Sequence, residues 1–229
     1  MAVDRVAELA DNLADVRSRI EAAALAAGRS PQDVQLIAVT KTWPLSDIRI
    51  LADLGLRDFG ESRDQEASRK VAEWREIDGR DVVWHFIGQL QSNKAKSVAS
   101  YASVVHTVDR PSLVDALLKA GQPLDCLLQL SIDGDVERGG CPGDELLDLA
   151  ARVRDPLRLR GIMAVAPLGM DPAAAFEIVG GVHTELLAVH PQAGIRCIGM
   201  SDDFEAAIAA GATHVRIGSA LLGNRPPAH

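Results

Sequence analysis

The first segment of the chain repeats apolar residues at intervals of three and four, from Val3 to Ile20. That spacing matches the period of an α-helix with one apolar face. Gly28 and Pro31 follow, and both residue types end helices. The pattern therefore predicts an amphipathic N-terminal helix that runs to about Ala27.

Beyond Pro31, short apolar runs alternate with longer segments of helical period. The predicted strands are residues 35–41, 57–61, 82–90, 103–108, 125–132, 159–165, 195–200 and 214–217. The predicted helices between them are residues 45–54, 62–77, 92–101, 112–120, 144–153, 172–189 and 203–210. Strands that are apolar throughout and separated by helices are typical of a parallel sheet with both faces covered.

Eight such repeats predict an α/β fold, a single (β/α)8 TIM barrel with an extra N-terminal helix. One domain would then account for residues 1–229. An open, doubly wound sheet is the main alternative, although it usually contains fewer strands. In a barrel, functional residues are expected at the C-terminal ends of the strands.

The net charge limits the kinds of molecule that this chain is expected to bind. The chain has 24 Lys and Arg residues against 32 Asp and Glu residues, which gives a net charge of −8. A negative protein is a poor general binder of nucleic acid or of an anionic membrane, and 3% aromatic residues offer few platforms for base stacking. No apolar run is long enough to span a bilayer, and Asp4 and Arg5 interrupt any signal-peptide core. The expected location is the cytoplasm.

The three cysteines fit that location. Their number is odd and their spacing matches no zinc pattern, so we expect no metal site. Cys126 and Cys197 lie in apolar runs and are expected to be reduced and buried. Cys141 lies in a polar, glycine-rich connection at residues 133–143, where we expect an exposed thiol and a mobile flap.

Lys41 is the first candidate for chemistry, because it ends a buried strand. The other four lysines, Lys70, Lys94, Lys96 and Lys119, fall on predicted helices and are expected to face solvent. Partial burial would favour the neutral amine of Lys41, which Schiff-base chemistry requires. The alternative is a lysine whose stem packs at a strand end while its amine reaches water.

The last two strands predict an anion site. Ser201 follows the seventh strand, and Gly218 and Ser219 follow the eighth at the start of a short helical turn. Barrel enzymes often bind phosphate there, at helix N-termini. Ser201 is also expected to cap the helix that follows it, and plain helix capping by the two serines is the alternative.

Arg216 lies two residues before Gly218 and shares its strand face, so it is expected to project into the barrel mouth. A core-edge arginine paired with a carboxylate such as Glu61 is the alternative. Lys41, the anion site at Ser201, Gly218 and Ser219, and Arg216 would all lie at the same end of the barrel. This combination suggests pyridoxal phosphate as cofactor.

Several sequence blocks then resemble a known family, the pyridoxal phosphate homeostasis proteins, whose barrel is that of the alanine racemase N-terminal domain. The resemblance runs from about Val34 to Arg225. The sequence segments that match the family are LIAVTKT at 36–42, FGESRDQE at 59–66, WHFIGQLQSNK at 84–94, GMSDDFEAAI at 199–208 and VRIGS at 215–219.

The resemblance implies roles for individual residues. Lys41 would carry pyridoxal phosphate as an internal aldimine, and Arg216 would face the pyridine nitrogen. Ser201, Gly218 and Ser219 would hold the phosphate, and Met200 would also contact the cofactor. His85 would line the face of the ring, and the alternative is a strand histidine whose ring nitrogens are satisfied by neighbouring residues. Ser62 would contact the cofactor, although the family usually has Asn there, and Gln89 replaces a usual His.

The family is linked to intracellular vitamin B6 homeostasis and is regarded as lacking robust catalysis. The function expected from the resemblance is therefore a monomeric, non-catalytic carrier of pyridoxal phosphate, with cofactor-dependent apo-enzymes as further partners. A weak amino-acid racemase or transaminase with Lys41 as its base is one alternative. A class I aldolase-like enzyme that attacks a sugar ketone is another.

Overall fold

The computed structural model describes residues 2–223. The ends of the predicted 1–229 domain, residues 1 and 224–229, therefore lie outside the described residues, as does Arg225 at the end of the resemblance. Eight strands are Gln35–Val39 (β1), Asp58–Glu61 (β2), Val83–Phe86 (β3), Val104–Val108 (β4), Leu124–Gln129 (β5), Leu157–Met163 (β6), Ile195–Cys197 (β7) and His214–Ile217 (β8).

Helices separate the strands, as the sequence pattern predicts. They are Ala2–Ala26 (α1), Leu45–Asp53 (α2), Asp64–Ile77 (α3), Ala95–Ala99 (α4), Pro111–Ala120 (α5), Leu146–Arg152 (α6), Pro172–Val189 (α7), Phe204–Ala209 (α8) and Ser219–Leu222 (α9). Within residues 2–223, no helix combines the length and apolar character that a membrane crossing requires.

The sheet is a closed barrel in which every strand is parallel to its neighbours and β1 pairs with β8. The (β/α)8 prediction, including the extra helix α1, is therefore confirmed, and the open sheet is wrong. In the register of the closing pair, Ile37 lies opposite Arg216. Closure places the ends of β1, β7 and β8 side by side at one rim.

Among residues 2–223, two apolar clusters fill the fold. A small one lies inside the barrel and consists of Ile37, Val104, Leu127, Met163 and Cys197. The larger one lies between the strands and the helices. It includes Phe59 of β2, whose ring packs 6.4 Å from Trp74 of α3 and 5.8 Å from Trp84 of β3, measured between ring centroids.

Helix α1 packs on the outside of the barrel and reaches the last helical turn. The amide of Asn12 donates to the carbonyl of Leu221 at 3.0 Å, and the guanidinium of Arg5 donates to the carbonyl of Leu222 at 3.0 Å. These bonds satisfy carbonyl oxygens at the end of α9 that have no partner inside the helix. The N-terminal helix thus holds the turn that follows β8.

The polar connection at residues 133–143 is fastened at several points. The side chain of Gln129 donates to the carbonyl of Arg138 at 2.9 Å, and that of Gln89 donates to the carbonyl of Glu137 at 2.9 Å. Cys141 pairs with Leu130 through a backbone bridge and is buried. The expectation of an exposed Cys141 is therefore wrong, because this bridge draws the thiol under the loop. Burial raises the pKa of Cys141 to about 11, which keeps the thiol protonated.

Candidate functional site

A cavity of about 380 Å³ opens at the C-terminal rim of the barrel. Its lining residues are Val39, Lys41, Trp43, Ile87, Met200, Ser201, Asp202, Arg216, Gly218, Ser219 and Gly223. The cavity brings together six of the eight residues that the sequence singles out, namely Lys41, Met200, Ser201, Arg216, Gly218 and Ser219. Ser62 and His85 are not among its lining residues.

Lys41 enters the cavity from the loop that follows β1. Val39, at the end of the strand, and Lys41 both line the cavity, whereas Thr40 between them is fully buried. The alternation is that of an extended chain, in which every second side chain points the same way. Thr42 then adopts a φ of 70°, which is an uncommon conformation for a β-branched residue.

Ser201 and the end of β8 form a cup at the opposite side of the cavity. The backbone N–H groups of Gly218 and Ala220 point at Ser201 Oγ, at 3.3 and 3.4 Å. These are donors at the first turn of α9, where an anion is favoured. A Cβ added to Gly218 would lie 3.5 Å from Val39 Cβ, so the glycine leaves open a space between β8 and β1.

Gly199 sets the position of this cup. Its φ is +90°, and a Cβ there would lie 2.6 Å from Ala207 Cβ. The chain therefore turns tightly from β7 toward α8, and this turn ends the strand earlier than the predicted residue 200. The N-cap residue of α8 is Asp203, and α8 has no side-chain cap bond. The expectation that Ser201 caps α8 is wrong, because its hydroxyl accepts from the turn after β8 instead.

Arg216 is buried in the barrel below the cup. Its guanidinium donates to the carbonyl of Cys197 at 2.8 Å and to the carbonyl of Ala164 at 3.0 Å. In the described part of the chain it forms no ion pair, and Glu61 is paired with Lys70 instead. The alternative that pairs Arg216 with Glu61 is therefore wrong. A permanent positive charge with neutral partners faces the cavity.

Lys70 departs most from the sequence expectation. It was expected to face solvent, but it is buried between α3 and the barrel. Its ammonium lies 2.9 Å from Glu61 Oε1, 2.7 Å from Glu66 Oε1 and 2.8 Å from the carbonyl oxygen of Thr40. Burial raises the pKa of Glu61, although Lys70 and the hydroxyl of Thr40 oppose that shift.

His85 belongs to a different group, which lies inside the barrel. Its ring nitrogens lie 2.9 Å from Asp58 Oδ1 and 2.8 Å from His106 Nε2. Burial, reinforced by the neighbouring His85, lowers the pKa of His106 well below the usual value for histidine. Burial likewise lowers the pKa of His214 to about 4. The imidazoles of His106 and His214 are therefore neutral at physiological pH.

Several cavity residues were not found from the sequence. Ile87 lies two residues after His85, so the period of an extended chain could have assigned it to the same face. Trp43 and Asp202 lie in loops, where no period indicates the direction of a side chain. Within residues 2–223, no three His, Cys, Asp or Glu side chains lie together in a way that could hold a metal ion.

The barrel and its rim cavity define a class of protein that comparison identifies. The sequence model of the family described as alanine racemase, N-terminal domain, matches residues 7–226. The structure of alanine racemase from E. faecalis shares the fold, with a TM-score of 0.62 at 19% identity, over 92% of this chain and 58% of that chain.

The particular family follows from more similar proteins. The pyridoxal phosphate homeostasis protein of Mycobacterium leprae is 42% identical over 242 residues, which cover 96% of this chain and 94% of that protein. The structure of PipY of Synechococcus elongatus with PLP bound has a TM-score of 0.79 at 33% identity and covers 94% of this chain and 100% of that chain. This chain belongs to the family of pyridoxal phosphate homeostasis proteins.

Proposed function

We propose that this chain binds pyridoxal phosphate at the rim cavity and holds it as a reversible covalent store. The observation that carries the proposal is that one cavity contains Lys41, the cup of Ser201, Gly218 and Ser219, and Arg216. The names of the relatives support the same cofactor: curated relatives are named for its homeostasis, and the PipY structure contains it.

The residues present fit the chemistry of this cofactor. A dianionic phosphate needs several donors and space for close approach, and the cup supplies the N–H groups of Gly218 and Ala220 together with two serine hydroxyls. The cavity of about 380 Å³ falls in the usual range for small-molecule sites. When bound, the cofactor supplies an aldehyde that can react with an amine and an aromatic ring that can withdraw electrons.

Lys41 is the proposed attachment point. Its neutral amine would attack the aldehyde carbon to form a C=N bond, and the aldehyde oxygen would leave as water. Because the reaction is reversible, water or a free amine can release the cofactor again. Solvent reaches the cavity through its exposed rim, where Met200, Asp202 and Ser219 lie. Such a site favours exchange of the cofactor.

The proposed role is storage and transfer, not catalysis. Arg216 can only donate hydrogen bonds, because a guanidinium has no acceptor atom. If it faces the pyridine nitrogen, as proposed, that nitrogen stays unprotonated, and the ring is a weaker electron sink. Tyr101, the single tyrosine of the chain, is buried and does not line the cavity. No tyrosine of the described residues therefore lines the cavity to act as a second acid at an α-carbon.

A weak racemase-type activity is the second candidate, and Asp202 is the observation that favours it. Asp202 is the one carboxylate among the residues that line the cavity. Its side chain lies in an exposed turn at the cavity edge, where water weakens the electrostatic stabilisation that proton transfer at an α-carbon requires. We therefore retain the carrier as the proposed function.

The site residues Ser62 and His85 remain predictions, because they lie outside the cavity lining. We further propose that the chain acts as a monomer in the cytoplasm and passes its cofactor to apo-enzymes. The open rim supports such a transfer, since an acceptor could approach the cavity directly.

Borohydride reduction of the protein loaded with pyridoxal phosphate tests the attachment. We expect visible absorbance before reduction, and afterwards a cofactor-bearing peptide that contains Lys41. Lys41→Ala should lose both signals while retaining weak binding through the cup. Labelling of any other lysine would refute the assignment.

The same preparation separates the carrier from the enzyme. We expect rapid exchange with L- and D-amino acids and transfer of the cofactor to an apo-enzyme, without sustained change of stereochemistry. Turnover of about one per second or faster, abolished by both Lys41→Ala and Asp202→Asn, would instead establish an enzyme, because typical enzymes work at about 1–10³ per second.

A further inference from the structure

A buried charged cluster lies beside the loop that carries Lys41, outside the cavity. It consists of Glu61 at the end of β2 and of Glu66 and Lys70 on α3, and we call it the Lys70 cluster. None of its three residues lines the cavity, so the cofactor would not touch them. The cluster nevertheless contacts the residues on both sides of Lys41.

On one side, the cluster holds Thr40. The ammonium of Lys70 donates to the carbonyl of Thr40 at 2.8 Å, and the hydroxyl of Thr40 donates to Glu61 Oε1 at 2.7 Å. The same Glu61 oxygen lies 2.9 Å from Lys70 Nζ. Thr40, Glu61 and Lys70 are thus joined in a closed ring of buried hydrogen bonds. Each bond involves a charged group, and charge-assisted bonds are among the stronger hydrogen bonds in proteins.

On the other side, the cluster holds Thr42. The N–H of Thr42 donates to Glu66 Oε1 at 2.6 Å, and that oxygen lies 2.7 Å from Lys70 Nζ. The φ of 70° at Thr42 costs free energy for a β-branched residue. Such a conformation persists where the surroundings enforce it, and it occurs most often at functional sites. Glu66 helps to hold it here, together with the turn bond from the N–H of Trp43 to the carbonyl oxygen of Thr40 at 3.1 Å.

Lys70 is the single cation of the cluster. Two carboxylates flank it, and Glu61 Oε2 is buried without a hydrogen-bond partner among the residues that the structure describes. Without the ammonium, Glu61 and Glu66 would repel each other in a poorly hydrated place, and both would lose the partner that orients them. The bonds that Glu61 and Glu66 accept from Thr40 and Thr42 therefore depend on one side chain.

We propose that Lys70 is a positioning residue for Lys41: through Thr40 and through Glu66 and Thr42, it fixes the backbone that presents the reactive amine to the cavity. The inference rests on the proposed function, in which Lys41 bonds the aldehyde carbon. It assigns to Lys70 an effect on the covalent step that is separate from the affinity of the phosphate cup.

The experiment compares Lys70→Met with Lys96→Met, which removes an exposed lysine from α4. Two ligands separate the covalent step from the cup: pyridoxal phosphate, followed by its visible absorbance, and pyridoxine phosphate, which has no aldehyde. We expect Lys70→Met to weaken formation of the C=N bond at least tenfold and to change pyridoxine phosphate binding less than twofold. Lys96→Met should match the wild type for both ligands.

Amide hydrogen exchange of the cofactor-free protein supplies a second measurement. The N–H of Thr42 should exchange at least tenfold faster in Lys70→Met, while amides inside β1 keep their wild-type rates. Glu66→Gln, at the less buried edge of the cluster, should also speed the exchange of the Thr42 N–H, although by less. This variant replaces Lys70→Met in the experiment if Lys70→Met does not fold. In Lys70→Met, the further change Thr42→Gly should recover part of the lost C=N bond formation, because glycine adopts φ 70° without strain.

Three results would overturn the inference: unchanged C=N bond formation in Lys70→Met, unchanged exchange at Thr42, or an equal loss of both ligands, which would indicate general damage to the fold. A wild-type protein that forms no bond to Lys41 would instead refute the proposed function. The exchange rate of Thr42 would still report whether Lys70 holds the loop.

Discussion

Ser201 shows how one hydroxyl can prepare a site for an anion. Its oxygen lies where the N–H groups of Gly218 and Ala220 converge, so these donors are already oriented before any ligand arrives. Little reorganisation is then needed when a phosphate binds beside it. Preorganised donors lower the free-energy cost of binding.

Replacing Ser201 or Ser219 with alanine should weaken binding of pyridoxal phosphate by about ten- to a hundredfold. A hydrogen bond to a charged group contributes roughly 1.5–3 kcal/mol, and about 1.4 kcal/mol corresponds to tenfold in affinity. Titration followed by absorbance measures the change. Unphosphorylated pyridoxal provides the control, since its binding should hardly change. A comparable loss for both ligands would argue against a phosphate cup.

Individual residues differed in how far the sequence could place them. Lys41, Gly218 and Ser219 follow strand ends, and the barrel rule places all strand ends at one rim. Lysines on helices usually face water, and for this reason the sequence pattern places Lys70 in solvent. The spacing of α3 predicts the opposite, because Ala67, Val71 and Trp74 form its buried face and Lys70 lies on that face at helical spacing.

At the scale of elements, the sequence pattern located the strands but not their ends. The apolar run at 82–90 predicts a longer strand than β3, which ends at Phe86. A Cβ on Gly88 would lie 2.1 Å from the carbonyl oxygen of Ser62, so the chain beyond β3 passes directly against the loop after β2. Contacts of this kind depend on backbones that are distant in sequence, and local pattern does not contain them.

Gly161 gives the sharpest prediction for a strand. In β6 its φ is +152°, and a Cβ would lie 1.9 Å from the carbonyl oxygen of Ile195 in β7. Gly161→Ala must therefore displace one backbone from the other, and we expect it to destabilise the fold by roughly 3 kcal/mol or more. Chemical denaturation followed by circular dichroism measures the free energy of unfolding.

Gly181→Ala is the matched control, because Gly181 is an exposed position of α7 and a Cβ there meets nothing within 4 Å. Alanine should stabilise this helix by about 0.5–1 kcal/mol. If both alanines shifted the unfolding midpoint in the same direction, the close approach of β6 and β7 could not be the cause of the first effect.

At the scale of the whole molecule, the buried histidines tie stability to pH. His106 and His214 have lowered pKa values in the folded protein, chiefly because of burial. The unfolded chain binds a proton at each near the usual pKa of about 6.5. Below that pH the unfolded state binds more protons than the folded state, so stability falls as the pH falls.

We expect the free energy of unfolding to decrease as the pH falls through 6.5, and for His214 the slope approaches about 1.4 kcal/mol per pH unit near pH 5. For His214 the loss continues toward its folded pKa of about 4. Denaturant midpoints at pH 7.5, 6.5 and 5 measure the slope. His214→Asn should show a shallower decline than the wild type, and an equal decline would show that His214 does not contribute.

Closure of the barrel also determines when the site can exist. Lys41 follows β1, whereas Ser201 and Ser219 follow β7 and β8, and β1 receives its second neighbour only when β8 pairs with it. During translation the lysine therefore leaves the ribosome long before the residues that complete its cavity. A nascent or truncated chain that stops before β8 has the amine but no cup. Cofactor loading is consequently a property of the finished chain, and interrupted translation products would not withdraw pyridoxal phosphate from the cellular pool.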